Sequence, residues 1–260
     1  MPDLRRDFDS RDDLIAYCTE QFPDAAAVDD HIAETLGGRR EAEAVLSDVD
    51  PRAYAKTRNM LTGAVTGLSP YLHHGVLSLA EVRDDLLERF GPQACSKLIN
   101  ELAWRDFFRR AMSEMGEGVR QDREDYKTGW DAADYADELP ADIAQGETGI
   151  DFIDAMAREL VETGYLHNQA RMKLASYLVH WRKVRWQAGA EWFLSHLLDG
   201  DAASNNLSWQ WVASTFSHKP YLWNQSGLIF ISDGQFTGSA RDGSSPFAGE
   251  VPEIAERLYA

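Results

Sequence analysis

Lysine is scarce in this chain of 260 residues: six Lys stand against 20 Arg, while Asp and Glu total 43 and the formal net charge is −17. An acid excess with so little Lys fits adaptation to high intracellular salt, with an ordinary acidic bacterial protein as the alternative. It argues against a broad nucleic-acid-binding face. Any such surface must be a local basic patch, and in molar salt counterion release adds little, so shape and stacking must carry the affinity. Cysteine is also rare: Cys18 and Cys95 are too few for a metal cluster, and they suggest a reducing cytoplasm. No run of apolar residues is long enough to span a bilayer. The opening segment, MPDLRRDFDSRDDL, lacks the apolar stretch of a secretory signal. Internal repeats and low-complexity segments are missing as well.

What is present reads as helix. Hydrophobic residues make up 44% of the chain, ample for a core, and the length allows one large domain. The pattern predicts helices at Asp12–Gln21, Ala25–Leu36 and Glu41–Ser47, with Gly37-Gly38 as a break and Asp50-Pro51 as a helix start. Without alternating strands the first fifty residues cannot build a doubly wound sheet. The expected class is all-α, divided as a helical extension packed on the core (1–50), a main helical domain (51–225) and a tail with a loop and short helix (226–260). Pro92 to Met115 reads as an amphipathic helix with Glu101, Arg105 and Arg109 on an i, i+4 ladder. Asp122 to Gly149 reads as a charged loop.

The stretch from Thr163 to Thr215 organises the rest. Leu166, Ala170, Leu174, Tyr177, Leu178 and Trp181 recur at helical steps and form an apolar face, while Asn168, Arg171, Met172 and Ala175 form an adjacent stripe. Polar residues so close to a core face need partners, because an unpaired buried polar group costs roughly 1–3 kcal/mol. A plain core helix whose polar residues meet other helices satisfies the same pattern. A short helix follows over Gly189–Leu198, with Trp192, Phe193 and Leu197 on one side. Next comes Asp199-Gly200-Asp201, which suits a helix C-terminal turn with Gly in the left-handed conformation. Carboxylates there oppose the helix dipole, so a cation such as Arg171, or a ligand rich in N–H and O–H donors, should compensate. Trp209-Gln210-Trp211 could face opposite ways or flank a turn. Thr66 to Tyr71 reads as a Ser/Thr-rich loop feeding a helix, suited to a phosphate or to simple capping.

Four blocks in order, TGLSPYLHHGVLS, INELAWRDFF, HNQARMKLASYLVHW and DGDAASNNLSWQWVAST, resemble the FAD-binding helical domain of the DNA photolyase and cryptochrome family. The resemblance covers roughly Tyr54 to Tyr221. It implies an all-helical bowl holding FAD, and light-dependent splitting of cyclobutane pyrimidine dimers in DNA by an electron from photoexcited reduced flavin. Fifty residues ahead of the domain leave no room for the family's antenna domain, so no antenna chromophore is expected. The Cys count excludes the relatives with an iron–sulfur cluster.

Carried onto this sequence, the resemblance assigns Tyr54, Thr66, Leu68, Ser69, Glu101, Arg105, Asn168, Arg171, Asp199, Asp201, Asn205 and Trp209 to the cofactor. Arg171 with Asp199 matches the ion pair beside the isoalloxazine, Asp201 faces flavin N3 and O2, and Asn205 faces N5. Glu101, Trp104, Asn168, Met172 and Trp211 fall to the substrate, the two Trp sandwiching a flipped dimer. Trp209 and Trp186 match the first two members of an electron-transfer chain. Ala133 stands at the third, between Trp130 and Tyr135, with Trp181 or Trp192 as other exits. Catalytic roles thus fall on Trp209, Trp186, Asn205 and Glu101. Val65, Gly67 and Leu98 depart from the family's usual residues. Asn205, Asn168 and Met172 favour the cyclobutane-dimer branch over sensory cryptochromes and (6–4) enzymes. A light-sensing cryptochrome, a non-photochemical flavoprotein and a helical interaction module remain as rivals.

Overall fold

The computed structural model describes residues 4–28 and 32–260, and for Val28 the backbone alone. The chain divides into two compact units, Met1–Glu34 and Thr35–Ala260. In the first, α1 (Arg11–Gln21) starts on Ser10, whose hydroxyl accepts from the Asp13 N–H, and α2 spans Pro23–Val28. Arg5 clasps Asp13 with two hydrogen bonds, and Phe8 lies on Tyr17. None of the side chains of α1 is buried. The helix expected over Ala25–Leu36 is shorter than its sequence pattern: residues 29–31 of it lie outside the described residues, and Ile32 to Leu36 are not helical. The Leu36 carbonyl accepts the Tyr71 phenol at 2.7 Å.

The second unit is all-helical among its described residues, with only two isolated bridges, Ala136 with Val184 and Ile150 with Ala240. Its helices are α3 (Arg39–Ser47), α4 (Pro51–Thr57), α5 (Ser69–His73), α6 (Leu79–Met115), α7 (Ala141–Ala144), α8 (Asp151–Thr163), α9 (Asn168–Ser176), α10 (Trp186–His196), α11 (Ala202–Ala213), α12 (Gln225–Ile231) and α13 (Val251–Tyr259). Local signals fix their starts. Asp50 caps α4 ahead of Pro51, and Ser78 with Glu81 forms a reciprocal capping box on α6. Gly91, at φ 76° and ψ 165°, breaks α6 into two helical halves just before Pro92. No described helix is long and apolar enough to cross a membrane.

Two hydrophobic cores result. One gathers Ala42, Leu46, Leu68, Leu77, Val82, Leu86 and Cys95 from α3, the segments flanking α5 and both halves of α6. The other is larger and aromatic, built from α8 to α11 and the tail, with Phe152, Leu174, Trp186, Phe193, Trp209, Trp223 and Phe247. The predicted apolar face of α9 belongs to it: Leu166, Ala170, Leu174 and Leu178 are each no more than 1% exposed. Past Ser176 the helix widens into a π-turn over Tyr177–Trp181. The charged segment 122–149 is mostly irregular, yet it is tied down: Asp122 accepts the Trp186 indole N–H at 2.6 Å, and Gln210 accepts the Arg123 N–H.

Candidate functional site

Between the two cores lies a hollow of two adjoining chambers, of about 150 Å3 and 280 Å3, sharing Arg105, Asn168, Arg171 and Asp199 as common walls. The inner chamber is walled by α6, α9, α10 and α11. Its apolar side consists of Met172, Ala175, Phe193, Leu197, Trp209 and Val212, and its polar side of Asp199, Asp201, Ser204 and Asn205. The outer chamber is lined by Tyr54, Arg58, Thr66, Ser69, Glu101, Tyr165 and His167 among others. The second stripe of α9 thus faces the hollow, because Asn168, Arg171, Met172 and Ala175 recur at the spacing that keeps them on one side of the helix.

Charge is concentrated on two carboxylates. Arg171 donates from Nη2 to Asp199 Oδ2 at 2.9 Å and from Nε to the Leu166 carbonyl, which fixes its guanidinium at the chamber wall. Asp199 Oδ1 is buried without a partner, as are Arg105 Nε and Ser204 Oγ. Asp201, by contrast, is saturated. Its Oδ1 accepts the Ser204 N–H as the N-cap of α11, and its Oδ2 receives Arg109 at 2.9 Å and Arg105 at 3.4 Å. Burial pushes the Asp201 carboxyl upward, but the Ser204 N–H and the two Arg outweigh it and hold it below the usual range. His73 stands 3.9 Å from the same oxygen, and burial and the neighbouring His74 keep its imidazole below the ordinary value.

Asn205 is oriented by its neighbours. Its amide nitrogen donates to the Ala190 carbonyl at 3.0 Å and to Asn206 Oδ1 at 3.1 Å. Both N–H groups are consumed inside the protein, so the acceptor oxygen is the end left for a ligand. Trp209 is 2% exposed, edge-to-face with Phe193, and backed by Gly189 with no room for a side chain.

Several expectations change here. Gly200 does not take the left-handed conformation. A Cβ there would sit 3.0 Å from the Leu197 carbonyl, so close approach is what favours glycine. Asp201 is not stranded at a helix C-terminus but begins the next helix, where the dipole suits a carboxylate. Trp209 and Trp211 lie within α11 and flank no turn; one is buried and the other 44% exposed. The ladder on α6 does not pair internally. Glu101 binds Lys97 and Arg58, whereas Arg105 and Arg109 reach Asp201. The short helix after Arg185 begins at Trp186 and ends at His196, a turn earlier than its apolar spacing suggests.

Of the residues assigned to a cofactor, Tyr54, Thr66, Ser69, Glu101, Arg105, Asn168, Arg171, Asp199, Asp201, Asn205 and Trp209 all line the two chambers. Leu68 does not: its side chain is buried in the smaller core. Met172 lines the inner chamber and accepts a long 3.6 Å contact from Asn168 Nδ2. Trp104 and Trp211 project from α6 and α11, the former 54% exposed. Trp186 is fully buried. Around the third chain position, Ala133 sits in a short 3-10 turn, Trp130 lies 4.4 Å under the Lys183 ammonium, and Tyr135 stacks on Tyr126 at 4.3 Å. Sequence reading missed Arg58, Tyr165, His167, Ser204 and Ser208. Ser204 and Ser208 flank Asn205 at i, i+4 spacing, a signal that could have found them.

A family model described as the FAD binding domain of DNA photolyase matches residues 98–227. The chain belongs to that family. It is 39% identical to the deoxyribodipyrimidine photo-lyase of Streptomyces griseus over 152 residues, covering 58% of this chain and 32% of that protein. It is 36% identical to the cryptochrome DASH of Natronomonas pharaonis over 202 residues, 73% of this chain and 41% of the other. A Synechocystis cryptochrome shares the fold at a TM-score of 0.67 and 29% identity, over 79% of this chain and 45% of its own. An archaeal photolyase from Sulfolobus tokodaii, solved with two FAD molecules, shares it at 0.65 and 24% identity, over 87% and 56%. The chain therefore spans about a third of the curated photolyases it matches first, and about half of these solved structures.

The hollow fits the family's cofactor. An apolar wall capped by Trp209 suits a planar ring system, and the unpaired Asp199 Oδ1 suits its N–H donors. Arg58, beside Thr66 and Ser69 on the wall of the outer chamber, suits an anionic diphosphate.

Proposed function

We propose that this FAD-binding domain performs light-dependent DNA repair, splitting cyclobutane pyrimidine dimers. FAD, when bound in its reduced form and excited by blue light, supplies the electron that opens the dimer. Everything else falls to the protein, as binding, orientation and redox tuning. Asp199 and Arg171 would hold the ring system, with Asp201 acting behind them by fixing Arg105, Arg109 and the start of α11. Asn205 presents an oxygen, which accepts a hydrogen bond and adds no proton donor as acidic as a carboxyl group. Tyr54, Thr66, Ser69 and Glu101 would meet the phosphate, ribityl and adenine parts. Trp209 and Trp186 are suited to pass an electron inward, and the Asp122 carboxylate on the Trp186 indole N–H favours positive charge on that ring.

The observation that carries the substrate reading is the exposure of two indoles on the helices that wall the hollow, Trp104 at 54% and Trp211 at 44%. An exposed indole offers a flat face on which a splayed base can stack, each stack being worth about 1–3 kcal/mol. Met172 and Asn168 at the chamber mouth would complete the pocket. A damaged pair is easier to flip out than an intact one because it stacks badly. The experiment is direct: purified protein reconstituted with FAD and reduced should remove dimers from an irradiated oligonucleotide in blue light and leave them in the dark. Dimers that persist under both conditions refute the proposal. The similarity to cryptochrome DASH supports a second reading, a blue-light sensor, which would show photoreduction without dimer loss.

A further inference from the structure

Lys173 is 5% exposed, and among the described residues no carboxylate bonds to it. Its neighbours are aromatic. The ammonium reaches the Tyr221 hydroxyl at 3.5 Å and lies 6.0 Å from the Tyr221 ring and 5.6 Å from the Trp223 ring. A buried charge without a counter-charge is expensive, and such groups concentrate at functional sites. The frame around it is rigid. The Trp223 indole donates to the Lys173 carbonyl, Ser176 donates to the Tyr221 carbonyl, and the Tyr221 N–H donates to Val212 in α11. Tyr221 is thereby pinned between α9 and α11, and its ring packs on Trp211 with centroids 5.5 Å apart. Lys173 and Trp211 thus share Tyr221 as a neighbour, the ammonium buried and the indole 44% exposed.

We propose that Lys173 is a positioning residue of the substrate wall: acting through the Tyr221 ring, its ammonium holds a positive potential behind Trp211 that favours an anionic oligonucleotide seated against that indole. The inference rests on the repair reading above. In a chain of net charge −17, a cation shielded from both salt and acidic side chains keeps its reach where a surface Lys would be screened. The charge is also removable, since burial lowers the Lys173 ammonium to about 8. The groups that face it do not titrate with it: burial raises the Tyr221 phenol, and burial with Arg171 lowers the His167 imidazole. Lys183, also lowered by burial to about 8, faces Trp130 and Tyr259 instead and serves as the control.

The test is the affinity of the full chain for a fluorescent oligonucleotide carrying one thymine dimer, against its undamaged twin, from pH 7 to 9.5. Wild type should lose affinity for the dimer about 3- to 10-fold across that range. Lys173→Met should be as weak at pH 7 as wild type is at 9.5, and flat with pH. Lys173→Arg, charged throughout, should keep the pH 7 affinity at both ends, while Lys183→Met should keep the wild-type step. A pH-independent wild type, or a step that survives in Lys173→Met, overturns the inference even where dimer selectivity is intact. If Lys173→Met does not fold, the wild-type and Lys183→Met profiles decide. Failure of wild type to distinguish damaged from undamaged DNA at any pH removes the repair reading and this inference with it.

Discussion

Gly189→Ala probes how tightly the chamber wall is built. Gly189 is the fourth residue of α10 and has no left-handed backbone, so helix propensity alone favours Ala by at most about 0.5–1 kcal/mol. Packing opposes it. A Cβ would stand 2.2 Å from Cη2 of Trp209 and 2.5 Å from Cζ3, where no real contact exists. Trp209 cannot swing aside cheaply, since Phe193 meets it edge-to-face at 4.9 Å and it is almost fully buried. Overpacking of this kind costs about 1–3 kcal/mol, so the clash outweighs the propensity gain and leaves a loss of about 1–2 kcal/mol. For a unit of this size that is a fall in Tm of roughly 2–8 °C. Thermal unfolding followed by circular dichroism measures it, and Trp fluorescence reports the displaced indole. A variant with unchanged or higher Tm and wild-type fluorescence would refute the argument that this glycine exists to admit Trp209.

Lys173→Met should stabilise the protein at pH 7. With a folded value of about 8 below the ordinary 10.5, the penalty is fully present below pH 8 and gone above 10.5, so wild type gains on the order of 3 kcal/mol as pH rises between them. Urea unfolding at pH 7 and 10.5 should show the variant's advantage only at the lower pH; an equal advantage at both rejects it. Asp201→Ala removes the cap of α11 and strands Arg105 and Arg109, and should cost about 2–4 kcal/mol by the same assay. A loss below about 1 kcal/mol, the cap alone, would mean the guanidinium contacts carry little. Trp104→Ala and Trp211→Ala should each weaken binding of dimer-containing DNA by about 1–3 kcal/mol while the visible flavin spectrum is unchanged, and spectral loss would place these indoles against the cofactor instead.

The parts of the site that were legible in the sequence are those where chemistry is local. The pairing of Arg171 with Asp199 follows from two charges that each needed a partner, and the stripe through Asn168, Arg171, Met172 and Ala175 follows from helical geometry. Conformation set by neighbours in space was not legible. Gly200 looked like a left-handed cap because its flanks are acidic, yet the Leu197 carbonyl decides its role. Asp201, which the resemblance places at the cofactor, lines the inner chamber while its oxygens also cap α11 and take Arg109 from α6, contacts its sequence neighbours do not announce. Ile32 to Leu36 are not helical, and the Leu36 carbonyl meets a phenol 35 residues away, a contact no local pattern announces. Nothing in the spacing of Lys173 marked it as buried beside aromatic rings, since the residues that cover it come from the tail.

The hollow lies where two separately packed cores abut, and its occupant would serve as their keystone. Polar ties across that seam include Asp201 to Arg105 and Arg109, His74 to the Leu198 carbonyl and Gln169 to Asn59. Loosening either abutment should therefore loosen the grip on the coenzyme. A cavity cut at Leu86, which lines neither chamber, should raise the rate at which flavin leaks away, and added flavin should in turn raise the melting temperature of that variant.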